Sequence, residues 1–327
     1  MKALTLVQAV NDALFVEMRV NPNIVVYGED VGVEGGVFRA TTGLQKEFGD
    51  KRCFDSPLAE SAIVGTAVGM SVLGLKPVVE MQFSGFAWPA FNQIISHVAR
   101  FRNRTRGAMT TDIVIRMPYG GGIRALEHHS ESMESIWAHI PGLKVVIPSN
   151  PYDAKGLLIS AMRHPDPIIF MEPKRVYRSI KQEVPDDAYT IEIGKAKIVT
   201  EGKDITLLSY GAQMKEATEA TFQLKTKGIS VELIDLRTIS PIDKKTITNS
   251  VNKTGRFVVV HEGPQSYGIG GELVTTVIEN CFTDLLAPPA RMSSPDITPP
   301  LPRGERLYLI STNMIVNKIM ELMNYRP

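Results

Sequence analysis

Apolar runs with β character alternate with segments of helical period along the chain, and that alternation constrains the fold most tightly. The runs Ile24 to Tyr27, Pro77 to Phe83, DIVIRMP, LKVVIP and PIIFMEP are largely apolar instead of apolar at every second residue. Strands covered by helices on both faces read this way, which is the mark of a parallel sheet. Between the runs lie helices with recognisable starts. Thr5 with Gln8 has the form of a capping box, and Val7, Val10, Ala13 and Leu14 recur at helical spacing. The spacing predicts a first helix to about Arg19, stopping before Pro22. Asp55-Ser56-Pro57 opens a second, a third covers about Pro89 to Arg104, and Asn150 with Pro151 starts a fourth.

From Lys174 to Lys203 the pattern weakens into a polar, turn-rich stretch. A second alternation then begins with DITLLSYG and continues through a helix to Lys225, VELIDLRT, a short helix and GRFVVVHEG. A helix after Gly270-Gly271 and another near Ile315 to Met323 complete it. The fold class is therefore α/β with two parallel-sheet domains, residues 1–185 and 204–327, joined by a linker at 186–203. With 327 residues and 43% apolar content the chain has material for both cores.

Charge excludes one class of partner. Lys plus Arg number 36 against 35 acids, so no basic field exists for a nucleic-acid backbone. Cys53 and Cys281 offer neither a disulfide framework nor zinc spacing, as in a reducing compartment. The apolar start is interrupted by Gln8, Asn11 and Asp12, unlike a signal peptide, and no apolar stretch is long enough to cross a bilayer. A cytoplasmic location is the expectation.

Three places carry candidate chemistry. Gly28-Glu29-Asp30 ends a buried β-run, where parallel sheets place ligands, although a turn with solvated charges looks the same. Glu60 stands near the start of an otherwise apolar helix in which Gly65, Gly69 and Gly74 imply close approach of another backbone. As a first-turn acid it could equally complement the helix dipole. His128 and His129 are adjacent, so in extended chain they point to opposite sides and do not ligate one ion together. Ser130 or Ser132 as a helix cap, with Glu134 in the first turn, accounts for the serines but not the histidines. No G-x-S-x-G elbow is present, and YGIGGE, which resembles a dinucleotide loop, lacks the third glycine and the distal acid. Phe83, Phe86 and Trp88 suit a core as well as a ligand platform.

In order, GEDVGVEGGVF, FDSPLAESAIVG, EMQFSGF, the GGG loop with HHS, PGLKVVIPSNPYDAKGLL, IDLRTISPID and KTGRFVVVHEG resemble the beta subunit of thiamine-diphosphate-dependent 2-oxoacid dehydrogenases. The resemblance covers nearly the whole chain. It implies a transketolase-like pyrimidine-binding domain followed by a transketolase C-terminal-like domain, and thiamine diphosphate as cofactor. The glutamate matching Glu60 binds N1′ of the aminopyrimidine and shares its proton, so that the 4′-amino group can take the proton from thiazolium C2. Burial, which raises a carboxyl pKa, suits that role. Phe86 matches the aromatic packed on the pyrimidine, and Glu29 and Leu58 join the cofactor-binding set. His129 matches the active-site histidine that orients the 2-oxo acid and assists acyl transfer to a lipoyl group. His128 then shapes the pocket or a subunit contact. Because HHS is commoner in branched-chain relatives, the resemblance leans to the 2-oxoisovalerate type, with pyruvate or acetoin as the alternative.

A complete thiamine enzyme also needs a G-D-G segment with a downstream Asn to hold magnesium and diphosphate. Here Gly49-Asp50 is followed by Lys51, and no such segment occurs. An alpha subunit is therefore expected to hold both, in an assembly of two alpha and two beta chains serving a lipoyl-bearing dihydrolipoyl acyltransferase core. Two positions depart from the family. Asn92 replaces an acid of a proton path that includes Glu29, and Asn cannot ionise. HPDPIIF replaces the usual D-x-N near a structural potassium ion held by carbonyls matching Ile113, Ala161, Met162 and His164, with Asp166 also offering oxygen. Half of a split transketolase and a non-catalytic assembly subunit are the rival readings. The YRSIKQEVP and HHSES segments disfavour the first, and intact Glu60, Phe86 and His129 the second.

Overall fold

The computed structural model describes residues 1–326. The chain forms two compact units, Met1–Tyr119 with Ile136–Ile193, and Gly120–Ser135 with Gly194–Pro327. The division at Ile193 and Gly194 lies inside the stretch read as a linker. Gly120–Ser135, placed by sequence in the first domain, belongs to the second unit. The physical reason is that its glycine amides bond to Glu262 and Glu305 of that unit.

In the first unit, strand β1 (Lys2–Thr5) precedes the helix Leu6–Val20. The capping box forms: Gln8 N–H donates to the Thr5 hydroxyl, and the Gln8 side-chain oxygen accepts the Thr5 N–H at 2.9 Å. Strands β2 (Ile24–Gly28), β3 (Cys53–Asp55), β4 (Lys76–Glu80), β5 (Val114–Tyr119), β6 (Lys144–Val146) and β7 (Ile168–Pro173) pair in the order β6-β7-β5-β4-β2-β3, all parallel. The strand expected to reach Phe83 ends at Glu80, because the chain turns there into a 3₁₀ helix over Ser84–Ala90. The helix expected over 89–104 is broken as well: a short α segment, a π turn at Ile94–Val98 and a further α turn follow one another. Helices Leu6–Val20 and Pro151–Arg163 pack together, tied by Lys155 Nζ to Asp12 at 2.7 Å and by Arg163 to both oxygens of Glu17. Strand β8 (Lys181–Val184), within the polar stretch just before the expected linker, pairs antiparallel with β1.

In the second unit, strands β9 (Lys197–Thr200), β10 (Ile205–Ser209) and β11 (Val231–Asp235) are followed by the short β12 (Thr238–Ser240), then β13 (Phe257–Pro264) and β14 (Ala290–Ser294). The sheet order is β14-β13-β10-β11-β9. Three of the pairings are parallel, as expected of a parallel-sheet domain, and β9 adds an antiparallel edge beside β11. An exposed, partly polar strand suits such an edge. Ile205, Leu207, Leu233, Val258 and Val260 build the core with Leu224, Ile315 and Ile319 from the helices Met214–Thr226 and Thr312–Met323.

Candidate active site

In the first unit the Tyr27 hydroxyl on β2 donates to the Ile63 carbonyl at 2.8 Å and lies 2.9 Å from the Thr66 hydroxyl. This fixes the helix Glu60–Val72 against the strand that delivers Glu29. Glu29 is buried just past β2, and its carboxyl pKa is raised by burial, then by the charges of Glu60 and Asp30. The two acids separated in sequence therefore share one electrostatic site. The loop between them is held by Asp55, whose carboxylate accepts the Gly32 N–H at 2.6 Å and the Val33 N–H at 3.3 Å. Asp30 adopts a left-handed φ of 56°, and its carboxylate accepts from Gln82 at 2.9 Å.

Glu60 is the first residue of its helix and no side chain caps that end, so the carboxylate faces a positive helix terminus. It is half-buried, not enclosed. Only Ile63, Val64 and Ala67 of this apolar helix are buried, and an added Cβ on Gly69 or Gly74 meets nothing within 4 Å. The close backbone approach read from the three glycines is thus not made within this chain. Phe86 is half-buried and meets Phe83 edge-on at 5.3 Å, while Phe83 carries Lys174 over its face at 5.1 Å. Leu58 is 79% exposed and Asn92 is also exposed.

A feature that the sequence reading missed lies beside this site. Arg116 on β5 bonds Glu172 on β7 through Nε at 2.7 Å and Nη2 at 3.0 Å, and Glu80 on β4 at 2.7 Å. The Tyr177 hydroxyl completes the network with a 2.6 Å bond to Glu172. Despite desolvation, Glu172 and then Glu80 hold the guanidinium firmly charged. One charged residue in each of three apolar β-runs, VVE, VIRMP and FMEP, was the available signal.

The expected potassium donors also lie in this unit. The Ile113 carbonyl accepts the Ile168 N–H at 2.9 Å, and the Ala161 carbonyl accepts the His164 N–H at 3.2 Å. Met162 is buried and His164 half-buried. Asp166 takes Arg102 Nε at 2.6 Å and faces Lys144 Nζ at 3.7 Å. Its carboxylate is thus met by two protein cations. His164 has a lowered pKa through burial, then the Lys144 charge.

In the second unit, His128 and His129 sit on a 3₁₀ turn over Glu127–His129, not in extended chain. Side chains about a third of a turn apart still diverge. His128 is exposed, with Nδ1 3.5 Å from Glu131, whereas His129 is half-buried and its N–H donates to the Leu126 carbonyl at 3.0 Å. Ser130 does not cap the next helix; its hydroxyl turns back to the Leu126 carbonyl. Glu134 is buried and its pKa raised by burial, and it accepts the Tyr210 hydroxyl at 2.8 Å. Among the described residues, no group of three or more His, Cys, Asp or Glu is arranged to hold a metal ion, and no helix is long and apolar enough to cross a membrane.

Comparison with known proteins decides the family. Residues 2–179 match the transketolase pyrimidine binding domain and residues 194–315 the transketolase C-terminal domain. The pyruvate dehydrogenase E1 component subunit beta of Acholeplasma laidlawii is 54% identical over 327 residues, covering 100% of both chains. The chain belongs to the 2-oxoacid dehydrogenase E1 beta-subunit family. Its counterpart from Mycoplasma genitalium is 49% identical over 97% of each chain, and that from Staphylococcus aureus 48% identical over 99% of this chain and 100% of the relative. A solved split-gene transketolase, an inactive beta4 tetramer, superimposes with a TM-score of 0.82 over 100% of both chains at 21% identity, which speaks for the fold alone. The lean toward a branched-chain type is not supported within the family, since these relatives carry the pyruvate name. That lean rested on His128, an exposed residue turned toward Glu131.

Proposed function

We propose that this chain is the beta subunit of a pyruvate dehydrogenase decarboxylase component. It decarboxylates pyruvate with an alpha subunit and passes the acyl group to a lipoyl-bearing acyltransferase core. The observation that carries the reading is the 54% identity, end to end, with a pyruvate dehydrogenase E1 beta subunit. Absence of a G-D-G segment from the sequence supports an alpha partner that supplies the diphosphate and magnesium contacts, in an assembly of two alpha and two beta chains. A cytoplasmic location goes with this reading.

The residues present fit the pyrimidine half of thiamine diphosphate. A half-buried acid at a helix start, a second acid whose pKa it raises, and a half-buried aromatic ring are what an aminopyrimidine needs. Thiamine diphosphate, when bound, supplies the nucleophilic carbon that lets a 2-oxo acid lose carbon dioxide. Glu60 holds a proton at N1′ of the pyrimidine, and Phe86 packs on that ring, an aromatic contact worth about 0.5–1.5 kcal/mol. Glu29, whose carboxyl is held above the usual range by burial and then by the Glu60 charge, shares that acid's surroundings. His129 donates to the substrate carboxylate and assists acyl transfer, work suited to a side chain that can give and take a proton. Leu58, exposed in this chain, closes the cofactor site against the alpha subunit.

The test uses the chain assembled with its alpha partner, thiamine diphosphate and magnesium. Pyruvate should turn over faster than 2-oxoisovalerate at equal concentration, and Glu60→Gln should abolish turnover while the assembly persists. Retained activity in that variant would remove the mechanism; preference for 2-oxoisovalerate would remove the substrate.

A further inference from the structure

The segment bearing the two histidines has little regular structure of its own, yet its backbone is closely specified. Gly120 N–H donates to the Glu131 carbonyl at 2.9 Å and closes the segment at its base. Beyond that point the amides turn toward two carboxylates. Gly121 N–H donates to Glu262, at the end of β13. Gly122 N–H donates to Glu305 Oε1 at 2.7 Å, and Arg124 N–H lies 3.3 and 3.2 Å from the two oxygens of the same carboxylate. Glu305 opens the short helix Glu305–Tyr308.

Both acids are buried, at 4% and 7% exposure. A buried carboxylate is costly unless several donors reach it, and charge-assisted bonds from backbone N–H are roughly twice as strong as neutral ones. The acids also define the space around the segment. Gly120 has φ +82°, and a Cβ there would lie 2.7 Å from Glu262 Oε1. Arg124 is held at a left-handed φ of 58°, a conformation that persists in a side-chain-bearing residue only where its surroundings impose it. The Glu305 carboxylate is within hydrogen-bond reach of the amide of this residue, and the 3₁₀ turn with His129 begins at Glu127.

We propose that Glu262 and Glu305 are positioning residues, which fix the backbone of the Gly120–Arg124 stretch and through it the direction of His129. The proposal rests on the reading in which His129 meets the substrate. Neither acid acts on a reacting atom.

The experiment has two arms. In the full-length chain, hydrogen exchange of the 120–130 amides is compared between wild type, the double variant Glu262→Ala/Glu305→Ala and the conservative double variant Glu262→Gln/Glu305→Gln. Loss of charged acceptors should speed exchange of the Gly121, Gly122 and Arg124 amides on the order of tenfold in the alanine variant, with protection largely kept in the glutamine one. In the assembled enzyme the alanine variant should lose about a hundredfold in kcat for pyruvate, the scale of a misplacement near 1 Å, while thiamine diphosphate affinity stays within about twofold. Glutamine, which keeps an acceptor oxygen, should restore most of the rate. Unchanged exchange, or full activity in the alanine variant, overturns the proposal. Should that variant fail to fold, the glutamine pair decides: full activity with protected amides supports the positioning role, and lost activity with protected amides overturns it. Should wild type itself not use pyruvate, the functional reading fails while the exchange arm still judges the clamp.

Discussion

The Tyr27 hydroxyl donates to the Ile63 carbonyl at 2.8 Å, and this bond joins the strand that leads into Glu29 to the helix that begins at Glu60. Tyr27→Phe removes the bond but keeps the ring, which stacks on Phe54 at 4.9 Å and 13°. The expected cost is about 1 kcal/mol of stability, read from chemical denaturation. Thiamine diphosphate affinity should fall several-fold with it, since the start of the helix is no longer pinned. Unaltered affinity with the stability loss present would show that the bond serves the fold alone.

Arg116 is fully buried between Glu172 and Glu80. Replacing it with Met leaves two carboxylates without their cation in the interior. Breaking one side of such a network costs about 3–5 kcal/mol, more than the network contributes over an apolar equivalent. Arg116→Met should therefore lower the denaturation midpoint sharply, whereas replacing Arg116, Glu80 and Glu172 together with apolar residues should recover part of the loss. Equal instability of the single and triple variants would argue against uncompensated charge as the cause.

Much of this architecture was legible because local chemistry decides it. Thr5 and Gln8 cap the first helix, Asn150 accepts the Asp153 N–H at 2.9 Å with Pro151 behind it, and the apolar runs become parallel strands. Glu29 stands at the end of its strand, where the sequence pattern put it. What depends on distant partners was not legible. The pairing of β1 with β8 and of β9 with β11 draws on segments too polar to read as strands. The π turn at Ile94–Val98 leaves no mark in a helical period. A glycine-rich stretch such as Gly120–Gly122 does not announce which unit its amides will bond, so its place with Glu262 and Glu305 emerges only in three dimensions. Glu60 illustrates the limit: the helix was readable, but it starts at Glu60 itself and not at Asp55-Ser56-Pro57, where Cys53–Asp55 forms a strand, and the half-burial of Glu60 depends on what covers the outer face of an apolar helix.

Gly142 is a position where no other residue fits. Its φ is +98°, and an added Cβ would lie 2.1 Å from the Ala99 carbonyl oxygen, a backbone atom that cannot rotate away. Gly142→Ala combines backbone strain with overlap, and should destabilise the chain by at least about 2 kcal/mol. Thermal or chemical denaturation checks this; a cost below about 0.5 kcal/mol would mean that the turn between Trp137 and Lys144 relaxes freely.

His261 supplies a pH dependence with a definite sign. The ring is buried, lies parallel to Tyr210 at 6.1 Å, and its Nδ1 has no hydrogen-bond partner among the described residues. Burial, then the Arg291 charge, lowers its pKa from 6.5 to about 4. The unfolded chain therefore takes up this proton at a higher pH than the folded one. Its stabilising share is complete above about 6.5, declines as pH falls, and is lost below about 4. At about 1.4 kcal/mol per pH unit, the gap amounts to about 3 kcal/mol. Denaturation midpoints measured across this range should fall in wild type, and in His261→Gln the decline should be shallower by that amount while other groups titrate as before. An equal slope in both proteins would show that the folded ring accepts its proton near neutrality, through a local opening that lets in water.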